Sequence, residues 1–307
     1  MAYPRYMALM CDVQYGVGSS GFDLTKVGVS GVRKPVVLAR PGINSPDSSV
    51  VVCSFDIFVD LPARQRGSHL SRNVEALRAV ADESVSRPYS NLEDLATAMV
   101  KILLEKHEYA QNVYVDITAE YFRPSVTPSG RSTTESCILL AGAVANRGKG
   151  IMKKIGVQVT GMTACPCAQQ TVGEMLNIEN PGFPLMSHNQ RNVCTILLQH
   201  DDGAHIEADD LIDMAEKSVS TPTFELLKRE DEGSVVINAH TNTRFVEDVV
   251  RNGLTLVVKN YPHLAGNTIV KVCSDSQESI HKHNAYAERV ASMDELRDEV
   301  AKNIIAE

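Results

Sequence analysis

The chain has 307 residues, 43% of them hydrophobic, enough to build one large core or two modest ones. Its formal net charge of −8 excludes a general nucleic-acid binder, and the absence of tryptophan removes the usual stacking platforms for single strands. No apolar run reaches the roughly 18 residues of a membrane span, and "MAYPRYMALMCDVQYG" lacks a clean cleavage site, so a cytoplasmic protein is expected. Acidity does not exclude a phosphorylated small molecule, which a few local cations can hold. The seven cysteines are scattered, mostly inside apolar runs such as "VVVCSF" and "NVCTILL". They read as buried small hydrophobes in a reducing compartment.

In chain order, the first 45 residues are Gly-rich and polar and predict an irregular arm leading into "VGVSGVRKPVVL", the first strand of the order below. Residues 50–61, dense in β-branched and aromatic side chains, predict a strand. Leu70, Val74, Leu77 and Ala81 have helical spacing. Ser90 with Glu93 reads as a capping box opening a second helix, whose face runs through Leu92, Leu95, Ala96, Met99 and Leu103. "NVYVDITAEYF" alternates cleanly, and "ESCILLAGAVAN" predicts a more buried strand. After "NRGKG", near residue 150, the order recurs. "KKIGVQVTG" and "NVCTILLQ" predict strands, 208–219 and "TRFVEDVVRNGL" helices, and "NTIVKVCSDS" a strand. A terminal helix starts at a Ser cap in "SMDELRDEVAKNII". Each half thus reads strand, strand, helix, helix, strand, strand. That order predicts an α+β fold with antiparallel sheets and helices on one face, divided as 1–150 and 151–307.

The nucleotide signature GxxxxGK[ST] is absent and no GxGxxG follows a predicted strand; HExxH and paired CxxC are absent too. Five polar clusters remain. In "GMTACPCAQQ", Cys165 and Cys167 flank Pro166, which biases Cys165 toward extended backbone. Two buried thiols, a nucleophile and a metal ligand are all compatible with that spacing. His188 in "SHNQRN" reads first as a capping or surface group and only second as a ligand. The run Lys228, Arg229, Glu230, Asp231, Glu232 reads first as a solvated helix end. Glu278, His281 and His283 in "QESIHKHNAYAE" could supply proton transfer or metal ligands. "LPARQRGSHLSRN" gathers Arg64, Arg66, His69, Ser71 and Arg72 at a helix start, as an anion site or an ordinary basic loop.

The combination is more specific than any single cluster. "DVQ" at 12–14, "VGVSGVRKPV" at 27–36, "VDLPARQRGSHLSRNVE" at 59–75, "GMTACPCAQ", "SHNQR", "LLKREDE", "FVEDVVR" and "ESIHKHNAYA" occur in order over nearly the whole chain. In these stretches the sequence resembles the type IB GTP cyclohydrolases, and most closely their archaeal branch, which opens the methanopterin pathway.

The resemblance implies a tunnelling fold of two ββααββ modules, assembled as a homodimer or homotetramer with sites near subunit interfaces. It implies hydrolysis of GTP at C8 of the guanine with release of formate. The product would be 7,8-dihydroneopterin 2′,3′-cyclic phosphate in the archaeal branch, or the triphosphate in the bacterial one. Carried over by position, Cys165, His188 and Glu232 would hold the metal, with Glu230 the alternative to Glu232. Cys165 would bind as a thiolate. The ion would be Fe(II), with Zn(II) or Mn(II) as substitutes, since a thiolate, an imidazole and a carboxylate suit all three. Glu247, with Asp248 as its alternative, would take the guanine edge. Glu278 and His281 would move protons during ring opening. Arg64, Arg66, His69 and Arg72, with Arg191, Lys228 and Arg229, would contact the triphosphate. Cys167 is expected to pack or to sit behind the ligands. A nitrile reductase of the same fold would use Cys165 as a nucleophile without metal; the match around His188 and "ESIHKH" favours the metal enzyme.

Overall fold

The computed structural model describes residues 13–16, 21–39, 48–179, 181–201 and 203–306. Cys11, Asp12 and part of the expected N-terminal arm lie outside the described residues. The elements run β1 (Leu24–Ala39), β2 (Ser48–Leu61), α1 (Leu70–Ser86), α2 (Leu92–Lys106), β3 (Asn112–Val126), β4 (Ser132–Asn146) and β5 (Gly150–Ala164). They continue with α3 (Pro166–Leu176), β6 (Asn189–Asp201), α4 (Ala208–Ser218), β7 (Thr221–Pro222), α5 (Arg229–Thr241), α6 (Val246–Asn260), β8 (Ile269–Ser276), β9 (Ala285–Ser292) and α7 (Met293–Ala306). Among the described residues no helix is long and apolar enough to cross a membrane.

The architecture is α+β. One antiparallel sheet runs β1-β2-β3-β4-β5-β6-β8-β9, with the two-residue β7 paired to β5. The alternation in β2 buries Cys53, Phe55, Ile57 and Val59 completely and leaves the residues between them half-buried. Period-2 side chains make that pattern: one sheet face is covered and the other is not. The register shows that both helix groups lie on the covered face. Ala141, in the core under α1 and α2, pairs directly with Ile155, in the core under α4 and α6, and direct partners point the same way. The core accordingly falls into two clusters, one built from Val36 to Ala145 and the other from Cys137 to Leu296.

The arm gives way at Leu24 to β1, a 16-residue strand. Gly28 permits it: a Cβ there would lie 1.9 Å from the Ile57 carbonyl oxygen, so the two strands approach too closely for any side chain. The cap of α2 is Asn91, whose side chain accepts from Asp94 N–H at 2.7 Å, not Ser90. Residues 166–176 form α3, with Pro166 in the first turn where its missing N–H costs nothing. The Ser292 cap is observed: its hydroxyl accepts from Glu295 N–H, and the Glu295 carboxylate accepts in return from Ser292 N–H.

Candidate active site

Cys165 is the extended residue that caps α3, with φ −77° and ψ 118°, as the following proline favours. Its Sγ accepts from Ala168 N–H at 3.4 Å, so the sulfur sits over the positive end of the helix. Its own N–H donates to the His188 carbonyl at 3.1 Å, and the Ser187 hydroxyl donates to its carbonyl. The end of β5 and the start of β6, paired Ala164 to Asn189, therefore hold Cys165 beside His188. Cys165 is half-buried, whereas Cys53, Cys137, Cys194 and Cys273 are buried as expected. Burial alone pushes the Cys53 thiol up to about 12, a packing group that does not ionise near neutrality. Cys167 is exposed, which corrects its expected packing role.

His188 is oriented by Gln190. The Gln190 amide donates through Nε2 to Thr163 Oγ1, so its Oε1 accepts from His188 Nδ1–H at 2.9 Å. That tautomer leaves Nε2 with its lone pair, the arrangement a metal ligand needs. Within "SHNQR" the motif gives Gln190 no role; its spacing of two from His188 along an extended segment is the signal that marks it. Glu278 Oε2 lies 3.7 Å from His188 Nδ1, with its side chain only 10% exposed. The His281 ring stands 6.4 Å from that of His188 and 5.2 Å from that of His283, on which it stacks. The Gln277 N–H donates to the Arg191 carbonyl at 2.8 Å, which docks the segment after β8 onto β6. Cys165, His188, Glu278 and His281 thus meet at one end of the sheet, although 113 positions separate Cys165 from Glu278.

Glu247 reaches the same end. Arg244 N–H donates to the Ala164 carbonyl at 3.0 Å and so sets the first turn of α6 beside Cys165. Asp248 is spent as the reciprocal cap on Phe245 N–H, at 2.9 Å, while Glu247 is exposed. Lys228 and Arg229 are exposed at the start of α5, which the buried Asp231 ties to the β3–β4 turn by accepting from Ser129 N–H at 2.8 Å.

The expected metal trio is not assembled within one chain: among the described residues no three His, Cys, Asp or Glu side chains stand together in a way that could hold an ion. Cys165 and His188 fit such an ion in donor type and tautomer. Glu232 is exposed on the first turn of α5. That helix meets the site through its last turn, where His240 Nε2–H donates to the Ser187 carbonyl. Eight residues of helix separate the two, about 12 Å along the axis. Glu230 is paired with Arg131 at 2.9 Å.

The arginine-rich loop lies elsewhere. It follows β2, whose Val59 pairs with Val113, Val113 with Ala145, and Ala145 with Ile151. That is the opposite end of the sheet from Cys165, the length of β5 away, about 50 Å at 3.3 Å per residue. Two of its four candidate residues also turn inward, against expectation. His69 is buried, and Arg72 donates to the Lys106 carbonyl at 2.7 Å, closing the end of α2. Arg64 and Arg66 are exposed.

An antiparallel sheet carrying its helices on one face, with thiol, imidazole and carboxylate groups at one strand end, defines a class of α+β enzyme. By fold it is similar to the uricase of Arthrobacter globiformis, with a TM-score of 0.52, 8% identity and coverage of 88% of this chain and 93% of that one. A uricase from Bacillus fastidious gives 0.51, at 11% identity, covering 90% and 96%. Residues 10–287 match the family described as type I GTP cyclohydrolase folE2, and the chain belongs to that family. It is 40% identical over 306 residues to the GTP cyclohydrolase MptA of Methanosphaera stadtmanae, covering 94% of this chain and 97% of that protein. To the GTP cyclohydrolase MptA of Methanothermobacter thermautotrophicus it is 41% identical over 313 residues, covering 96% and 98%.

Proposed function

We propose that this chain is the GTP cyclohydrolase of methanopterin synthesis, opening the guanine imidazole ring at C8, releasing formate and yielding 7,8-dihydroneopterin 2′,3′-cyclic phosphate. Family membership supports the reaction class, and the observation that carries the site is the convergence of Cys165, His188, Glu278 and His281. Cys165 and His188 would hold a divalent ion, Fe(II) by the donor set and the resemblance, together with a carboxylate. Glu232 is the carboxylate the resemblance assigns; Glu278 lies beside His188 Nδ1, the ring nitrogen turned away from the ion, which suits it to proton transfer. When bound, the ion supplies a water that is nucleophilic near neutral pH. Glu247, exposed next to Cys165, accepts two hydrogen bonds from the guanine N1–H and 2-amino group and so rejects adenine, which lacks that donor pair. His281 and Glu278 hand protons to the ring nitrogens as the imidazole opens.

Residues 1–150 and 151–307 form two ββααββ modules of a tunnelling fold, the second carrying α3, β7, α5 and α7 as additions. The phosphate contacts come from two sources. Arg191, Lys228 and Arg229 belong to the Cys165 end of the same chain. Arg64 and Arg66 come from a second copy, because their own loop is a β5 length away. Exposed apolar side chains around the Cys165 end, among them Met175, Phe183, Met186, Val236, Ile237 and Ile280, suit burial against that copy in a homodimer or homotetramer.

Anaerobic incubation of the Fe(II)-loaded protein with GTP tests the reading. Formate and a dihydropterin bearing one cyclic phosphate are expected by mass spectrometry; recovered GTP refutes it, and a triphosphate product moves it to the folate-type reaction. Cys165→Ala is expected to lose both metal and turnover while remaining folded. Full metal content in that variant would remove Cys165 from the site.

A further inference from the structure

Behind the arginine-rich loop lies a buried chain of hydrogen bonds, none of whose members the sequence motifs assign a role. Asn73, on α1, donates through Nδ2 to the Ile57 carbonyl in the core of β2, at 3.1 Å. Its Oδ1 therefore accepts, and the partner at 2.7 Å is His107 Nε2, which must carry a proton. Burial, reinforced by the charges of Arg72, His69 and Lys106, lowers the pKa of His107 to about 4, so the ring is neutral near pH 7. Nδ1 then accepts, and the Tyr109 hydroxyl is its donor at 2.8 Å. The Tyr109 oxygen accepts in turn from the Ser68 hydroxyl at 2.8 Å. Every proton from Ser68 through Tyr109, His107 and Asn73 to the Ile57 carbonyl points the same way, a fully satisfied network of the kind that fixes one conformation.

Ser68 is the loop's member of that chain, two residues beyond Arg66. Further bonds shape the same segment. Gln65 donates through Nε2 to the Gly67 carbonyl at 2.9 Å, Arg66 N–H donates to the Gly16 carbonyl at 2.7 Å, and Arg72 reaches the Lys106 carbonyl beside His107. A loop held this way has already given up the conformational freedom that binding an anion would otherwise remove.

We propose that His107 and Tyr109 are positioning residues for the reaction: acting through Ser68, they hold Arg64 and Arg66 in the arrangement that takes the substrate's phosphates. The proposal rests on the assignment of that loop to the phosphates made above.

Tyr109→Phe removes two links of the chain with little change in volume. In the metal-loaded enzyme, the KM for GTP is expected to rise about tenfold with kcat changed less than about twofold. Inhibition by tripolyphosphate should weaken by the same factor as GTP binding, and inhibition by guanosine, which has no phosphate, should not change. Ser68→Ala is expected to match it, and the double variant to be no worse than either single one, because all three cut one chain. Ser68→Ala carries the test if Tyr109→Phe does not fold. Arg66→Ala, run in parallel, separates the two layers. If it leaves KM and tripolyphosphate inhibition unchanged, the loop does not hold phosphates and the proposal falls with that assignment. If it raises both while Tyr109→Phe and Ser68→Ala raise neither, the loop assignment stands and the positioning role is refuted. Equal weakening of guanosine and tripolyphosphate would mark a general loss of structure and would also overturn the proposal.

Discussion

Glu93, in the first turn of α2, is 8% exposed and lies where that helix meets β5 and the end of β6, in a cleft shared with Lys153 and His200. Burial there, with Asp94 and Glu207 adding to it against the pull of Lys153, raises its pKa from 4.5 to about 7. An acid whose pKa is higher folded than unfolded makes the native state bind the extra proton, so its contribution to stability falls as pH rises from about 4.5 to 7. At 1.36 kcal/mol per unit, the cost is about 3 kcal/mol at pH 8 and below about 1 kcal/mol at pH 5. Glu93→Gln keeps the shape and removes the ionisation. Relative to wild type, the variant should gain about 2 kcal/mol more stability at pH 8 than at pH 5, read from urea midpoints at fixed protein concentration. A variant-minus-wild-type difference that is flat between those pH values, or that turns against the variant at pH 8, would show that the Glu93 carboxylate is well solvated or paired as an ion, and the argument from burial would fail.

Two further outcomes follow from local geometry. Asn91→Ala should cost about 1 kcal/mol by thermal unfolding, while Ser90→Ala should be near neutral; the reverse order would restore Ser90 as the cap. Gly28→Ala should destabilise the β1–β2 pair, read as faster amide exchange in β1 than in β3, because the added Cβ has no room before the Ile57 carbonyl.

The sequence exposes most of this fold wherever burial writes a period into it. β2, β3 and β6 alternate because one face is covered, and α2 shows its stripe for the same reason. β9 escapes notice because it ends the sheet and is largely exposed on both faces, which leaves nothing to alternate. α3 hides behind Pro166, which reads as a breaker until it is seen in the first turn. The site is legible in its chemistry more than in its geometry. The motifs name Cys165, His188, Glu278 and His281, but only strand register reveals that they share one end of the sheet. Register likewise separates Arg66 from them, and it is a long-range property that no local spacing encodes. Asn73, His107, Tyr109 and Ser68 look unremarkable in sequence because the links from Asn73 to His107 and from Ser68 to Tyr109 span 34 and 41 positions.

The separation of the arginine loop from Cys165 has a genetic consequence. In the proposed assembly every working centre draws on two polypeptides, so a lesion at Cys165 and a lesion at Arg66 damage different halves of it. Cells carrying both alleles on separate gene copies would still build some intact centres in mixed oligomers. Cells carrying both lesions on every copy would build none.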